Sequence, residues 1–130
     1  MRLYLVRHAE AESGDPDDLR SLTASGRAAA RELGQRLALE GTPDAVLASP
    51  LLRARETAEE IARAAGVEAE PDERLAPGAT VEDVLEAIAG RGEHIVVVGH
   101  QPDCGRIAAA LSGGAEPRFP PAGVVELDLI

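Results

Sequence analysis

Apolar and polar positions in this chain follow two alternating rhythms. Leu3-Tyr4-Leu5-Val6 and Ile95-Val96-Val97-Val98 are unbroken apolar runs, the pattern of strands covered on both faces. They predict strands over 2–7 and 95–98. Asp44-Ala45-Val46-Leu47-Ala48 predicts another, and Val67–Glu70 a short one. Between the strands the spacing turns helical. Ala30, Leu33 and Leu37 share one face of a helix capped by Thr23 and running to about Glu40, with Gly41 as its stop. Leu51, Ala54, Ala58, Ile61 and Ala65 share a face of a second helix. That helix opens at Ser49-Pro50, a preferred cap followed by a preferred first residue, and Gly66 ends it. Thr80 and Asp83 form a capping-box pattern for a third helix to Ala89, with Val81, Val84, Leu85 and Ile88 inward. A fourth helix runs from about Pro102 to Leu111 and stops at Gly113-Gly114. In the final segment Val125, Leu127 and Leu129 alternate with Glu126 and Asp128, as in a strand with one buried face, expected to be antiparallel. The order β-α-β-α-(β)-α-β-α-β predicts a three-layer α/β/α sandwich with a mostly parallel sheet.

With 130 residues the chain suits one domain over 1–130. Aromatic residues are only 2%, so Ala, Leu, Val and Ile must fill the core and the helices must pack close to the sheet. The net charge of −10 argues against nucleic acid and against an anionic membrane surface as partners, because both select clustered cations. Any anion site must be a local concentration of arginine. Cys104 is the only cysteine, which excludes an internal disulfide and a cysteine-based zinc cluster. The first apolar run is too short for a signal peptide, and no run reaches transmembrane length, so a cytoplasmic protein is expected.

Candidate chemistry sits where buried strands end. Arg7-His8 follows the first strand and Gly99-His100 the clearest one, while Arg53 opens the helix after the second. In open α/β sheets, ligands gather outside the carboxyl ends of the strands. If these strands are parallel neighbours, two arginines, two histidines and helix N-termini meet there, a combination suited to a dianion. His94 begins the strand that His100 ends, so it is expected far away on the surface, and no metal site is expected. Asp15-Pro16-Asp17-Asp18 is expected to be a solvated turn.

Leu5-Val6-Arg7-His8-Ala9, Leu22-Thr23-Ala24-Ser25-Gly26, Ser49-Pro50-Leu51-Leu52-Arg53-Ala54-Arg55-Glu56-Thr57 and Val98-Gly99-His100 together resemble the histidine phosphatase superfamily, also called phosphoglycerate mutase-like. The resemblance spans the chain. The short length and the loop Leu75-Ala76-Pro77-Gly78 look most like the SixA-type phosphohistidine phosphatases. It implies that His8 is a nucleophile that carries a phosphoryl group, that Arg7 and Arg53 clamp the phosphate, and that His100 stabilises the transition state. Arg20 is a candidate substrate contact at the rim. Arg55 is expected to be solvated or salt-bridged. No cofactor is implied.

Larger members carry an acidic residue in the loop before the third helix, which protonates an alkoxide leaving group. Here that loop is Arg74-Leu75-Ala76-Pro77-Gly78, without a carboxylate. Asp103, Glu82 and Glu73 stand nearby and are read as caps or surface charges. Imidazole, whose conjugate acid has a pKa of about 6.5, leaves more readily than an alkoxide, so the missing acid points toward phosphohistidine. Three functions stay open at this point. They are a metal-independent phosphatase of phosphohistidine in proteins, a phosphatase of small molecules such as sugar phosphates or nucleotides, and a non-catalytic phosphate-recognition module.

Overall fold

The computed structural model describes all 130 residues. In chain order the elements are β1 (Arg2–Arg7), α1 (Ala24–Ala38), β2 (Ala45–Ala48), α2 (Leu52–Ala65), β3 (Ala69–Pro71), α3 (Val81–Ile88), β4 (His94–Gly99), α4 (Asp103–Ser112) and β5 (Val124–Asp128). Two 3-10 turns, Asp17–Leu19 and Glu73–Leu75, lie in the connections. The sheet order is β3-β2-β4-β1-β5. β4 pairs parallel with both β1 and β2, and β5 pairs antiparallel with β1. No helix is long and apolar enough to cross a membrane.

The strand period divides the core in two. Leu3, Leu5, Leu47, Ile95 and Val97 point to one face, where α3 and α4 bring Val84, Ile88 and Ile107. Tyr4, Val6, Val46, Val96 and Val98 point to the other, against Leu33 and Leu37 of α1 and Ala54, Ala58 and Ile61 of α2. The small residues of α2 let it lie close on the sheet, which fixes where its first turn falls.

Most caps follow local chemistry. Thr23 Oγ1 accepts from Gly26 N at 2.8 Å, Thr80 and Asp83 form a reciprocal capping box, and Gly66 and Gly113 end their helices in the left-handed region. The expected cap of α2 is not formed. That helix starts at Leu52, Leu51 precedes it with no side-chain cap, and Ser49 lies outside it. The buried hydroxyl of Ser49 is instead held by a partner 51 positions away.

Candidate active site

Because β2, β4 and β1 are adjacent and parallel, their carboxyl ends form one edge. There, Arg7 and His8 leave β1, His100 leaves β4, and the turn after β2 delivers Arg53. These four and Arg20 line an open polar pocket of about 420 Å³, together with Glu10, Ala11, Pro77, Gln101 and Pro121. The rings of His8 and His100 are 5.2 Å apart.

His8 is held in one tautomer by its own backbone. Its Nδ1 lies 2.7 Å from the Ala9 carbonyl oxygen, which can only accept, so Nδ1 carries the proton. The Nε2 lone pair is left for the pocket. Burial lowers the pKa of His8; the hydrogen bond to Ala9 opposes this, and the charges of Arg53, Arg7 and Arg20 add to it. The ring is therefore neutral at neutral pH. Ala9 is fixed in turn, since its N–H donates to buried Thr57 Oγ1 at 3.0 Å and that hydroxyl donates to Arg53 O at 2.9 Å. A turn of α2 thus ties the nucleophile candidate to the backbone of Arg53.

The arginines are anchored by carbonyls and keep donors in reserve. Arg7 Nη1 donates to Phe119 O at 2.9 Å, and Arg53 Nη1 donates to Asp17 O at 2.9 Å. The Nε groups of Arg7 and Arg53 are buried with no partner in the protein. Unpaired buried N–H groups are costly, and both guanidinium groups line the pocket, so the site concentrates positive charge and donors where an anion would sit. The 119–123 turn seats the other side of this strand end. Arg7 N donates to Gly123 O at 3.0 Å and Ala122 N to His8 O at 3.2 Å, with Ala122 in the left-handed region at φ 61°.

The turn from Asp15 to Asp18 is exposed, as expected, but Asp17 is also paired with the pocket arginines. Its Oδ1 accepts from Arg20 Nε at 2.9 Å and its Oδ2 from Arg53 Nη2 at 3.2 Å. The Arg20 bond, with Arg53 beyond it, holds the carboxyl below the usual range although the side chain is exposed. Arg20 also donates to Glu12 O at 2.9 Å. The loop before α1 is therefore docked on the pocket arginines through Asp17, and Arg20 faces the same space.

Two expectations are corrected. Arg55 is neither freely solvated nor salt-bridged: it is partly buried, with its Nε secluded and unpartnered. His94 is partly buried rather than fully on the surface, its ring 5.2 Å from that of Tyr4 at the far end of β4.

Among the acid candidates, Asp103 is buried and its Oδ2 accepts from Gly78 N at 2.8 Å, pinning the rim loop that carries Pro77. Glu73 and Glu82 are exposed and do not line the pocket. The pocket does hold Glu10, whose Oε1 accepts from Thr23 Oγ1 at 2.8 Å. Sequence reasoning passed over Glu10 and Ser49. The signal for Glu10 was its place two residues after His8. The signal for Ser49 was that it follows a buried strand directly, as His8 and His100 do.

The stretch from Leu22 to Gly26 braces this site. Leu22 N donates to Glu56 Oε1 at 2.8 Å, and Arg27 bridges to Glu56 at 2.9 Å. Gly26 lets α1 lie against the Glu10 backbone, where a Cβ would sit 2.0 Å from the Glu10 oxygen.

Comparison with known proteins identifies the family. The model of the histidine phosphatase superfamily (branch 1) matches residues 3–77, more than half of the chain. The chain belongs to that superfamily and is a phosphatase. Within it, the similarity is to proteins of the SixA type. A phosphohistidine phosphatase SixA homolog of Haemophilus influenzae is 32% identical over 98% of this chain and 87% of its own length. The structure of the protein histidine phosphatase SixA complexed with tungstate superposes with a TM-score of 0.87 at 29% identity, covering 97% of this chain and 86% of the other. A structure of the putative phosphohistidine phosphatase SixA from Agrobacterium tumefaciens gives a TM-score of 0.83 at 30% identity, covering 98% and 90%.

Proposed function

We propose that this phosphatase hydrolyses phosphohistidine in proteins, without a metal, through transient phosphorylation of His8. The observation that carries the proposal is the convergence of a tautomer-locked His8 with Arg7, Arg53 and His100 on one polar pocket. The phosphoryl group binds between Arg7 and Arg53, with Arg20 at the rim. His8 Nε2 attacks phosphorus as the P–N bond to the substrate breaks, and the substrate ring, carrying a proton from solvent on its other nitrogen, leaves as neutral imidazole. Water then attacks phospho-His8, releasing phosphate and restoring the ring. The guanidinium groups and His100 stabilise the charge that spreads over the phosphoryl oxygens, which is most of what phosphoryl transfer requires.

Two features support a protein substrate. Only His100, Gln101 and Pro102 join β4 to α4, and residues 72–80 hold nothing larger than a 3-10 turn, so neither connection carries a cap domain. Asp103 is committed to Gly78, so it is not placed to protonate an alkoxide. A small-molecule phosphomonoesterase is the second reading, and it rests on Glu10, a carboxylate at the pocket.

Metal-free hydrolysis of a phosphohistidine peptide, para-nitrophenyl phosphate and a sugar phosphate, by wild type, His8→Ala and Glu10→Gln, separates the two. The first reading requires fast His8-dependent turnover of the peptide that survives Glu10→Gln. Comparable turnover of the sugar phosphate, lost in Glu10→Gln, would establish the second. Phosphate binding without turnover of any substrate would leave a recognition module.

A further inference from the structure

We infer that Ser49 is a positioning residue that sets the tautomer of His100, making the neutral ring a donor from Nδ1 into the pocket. This rests on the placement of His100 in the phosphate site proposed above. Ser49 is fully buried at the end of β2, and its own N–H donates to Val98 O at 3.0 Å, so its place beside β4 is fixed by the sheet edge. Its hydroxyl has two partners. Leu51 N donates to Oγ at 3.3 Å, and His100 Nε2 lies 2.7 Å from Oγ.

A hydroxyl has one proton and two lone pairs. The Leu51 amide can only donate, so it occupies a lone pair. If His100 Nε2 also carried a proton, the Ser49 proton would have no acceptor in a fully buried setting, a costly arrangement. If instead Nε2 is the acceptor, the Ser49 hydroxyl and its neighbours are satisfied: Leu51 N–H to Oγ, and Oγ–H to Nε2. The ring proton then sits on Nδ1. That nitrogen has no partner within the protein, and the ring lines the pocket. Burial, with His8 and Arg53 next, brings the His100 pKa down to about 4, so the ring does not gain a second proton at neutral pH.

The two histidines are thereby set to complementary tasks with the same tautomer. His8 turns its Nδ1–H to its own backbone and offers a lone pair. His100 has its lone pair taken by Ser49 and offers a proton. A hydrogen bond from neutral His100 steadies a phosphoryl oxygen without placing a further cation against His8.

The test is long-range ¹H–¹⁵N correlation on uniformly labelled protein near pH 7.5, with His100 assigned by its loss in His100→Gln; the chain has only three histidines. The expected result is a protonated Nδ1 and a bare Nε2, with Nδ1 moving on titration with inorganic phosphate. In Ser49→Ala the tautomer bias should be lost and kcat on a phosphohistidine peptide should fall about tenfold or more. A wild-type ring protonated at Nε2, or Ser49→Ala leaving both tautomer and kcat unchanged, overturns the inference. The tautomer is measured without turnover. A bare Nε2 in a wild-type protein that cleaves no phosphohistidine would therefore sink the proposed substrate while sustaining the role of Ser49.

Discussion

Thr57→Val removes one oxygen atom from the support of the site and almost nothing else. The side chain is fully buried, and valine nearly matches its shape. The hydroxyl accepts the Ala9 N–H at 3.0 Å, and no other acceptor is given to that amide. The variant therefore leaves a buried N–H unpaired, which costs about 2 kcal/mol. For a chain of 130 residues, each kcal/mol moves Tm by about 4 °C, so a fall of about 8 °C is expected in a calorimetric scan. Activity should suffer beyond stability, because the Ala9 carbonyl locks His8 and the Ala9 amide locates that carbonyl. We expect kcat on a phosphohistidine peptide to drop at least about tenfold at temperatures where the variant is folded. Thr57→Ser is the control: it keeps the hydroxyl, loses a methyl group at about 1 kcal/mol, and should retain most activity. If Thr57→Val matches Thr57→Ser in both Tm and kcat, the chain of support from α2 through Ala9 to His8 is refuted.

Three further outcomes follow from the structure. His100 takes a proton less readily folded, at about pH 4, than unfolded, near 6.5. The unfolded chain therefore binds more protons in that window, and stability present above pH 6.5 is lost as pH falls toward 4, by about 3 kcal/mol from this group. His8 acts in the same direction, and urea titrations across that range should show a shallower dependence in His100→Gln. Asp103→Ala should loosen the Gly78 rim, raising KM severalfold on a phosphohistidine peptide while leaving kcat and the basic limb of its pH profile in place; loss of that limb would make Asp103 the proton donor after all. Gly26→Ala would push a methyl group to 2.0 Å from the Glu10 carbonyl oxygen, so α1 must lift from the strand end, and chemical denaturation should show a loss of about 3 kcal/mol; unchanged stability would mean that this approach is not needed.

The elements and the pocket arginines were legible because they follow local rules. A buried strand writes itself as a β-branched run, a strand end in a parallel sheet is where ligands bind, and Arg7-His8 and Gly99-His100 stand at such ends. What escaped was long-range. Ser49-Pro50 carries a strong local signal for a helix cap, yet the Ser49 hydroxyl is taken by His100 across the sheet edge. Asp17 sits in a sequence that suits a solvated turn, and only the folded chain brings Arg53, 36 positions away, to its carboxylate. Glu10 stands in a polar loop among other acids and gains its place from Thr23. Ser49 and Asp17 each keep a local partner, Leu51 N and Arg20, and add a distant one that only the folded chain supplies.

The central claim is that a phosphoryl group passes through His8 Nε2. It is tested most directly by mixing the protein with a phosphohistidine peptide, quenching in alkali within milliseconds, and mapping the phosphoryl adduct by mass spectrometry. The predicted result is one adduct on His8, stable in alkali, lost in acid, and absent from His8→Ala, which also ceases to turn over. An adduct on another residue, or sustained turnover by His8→Ala, would contradict it.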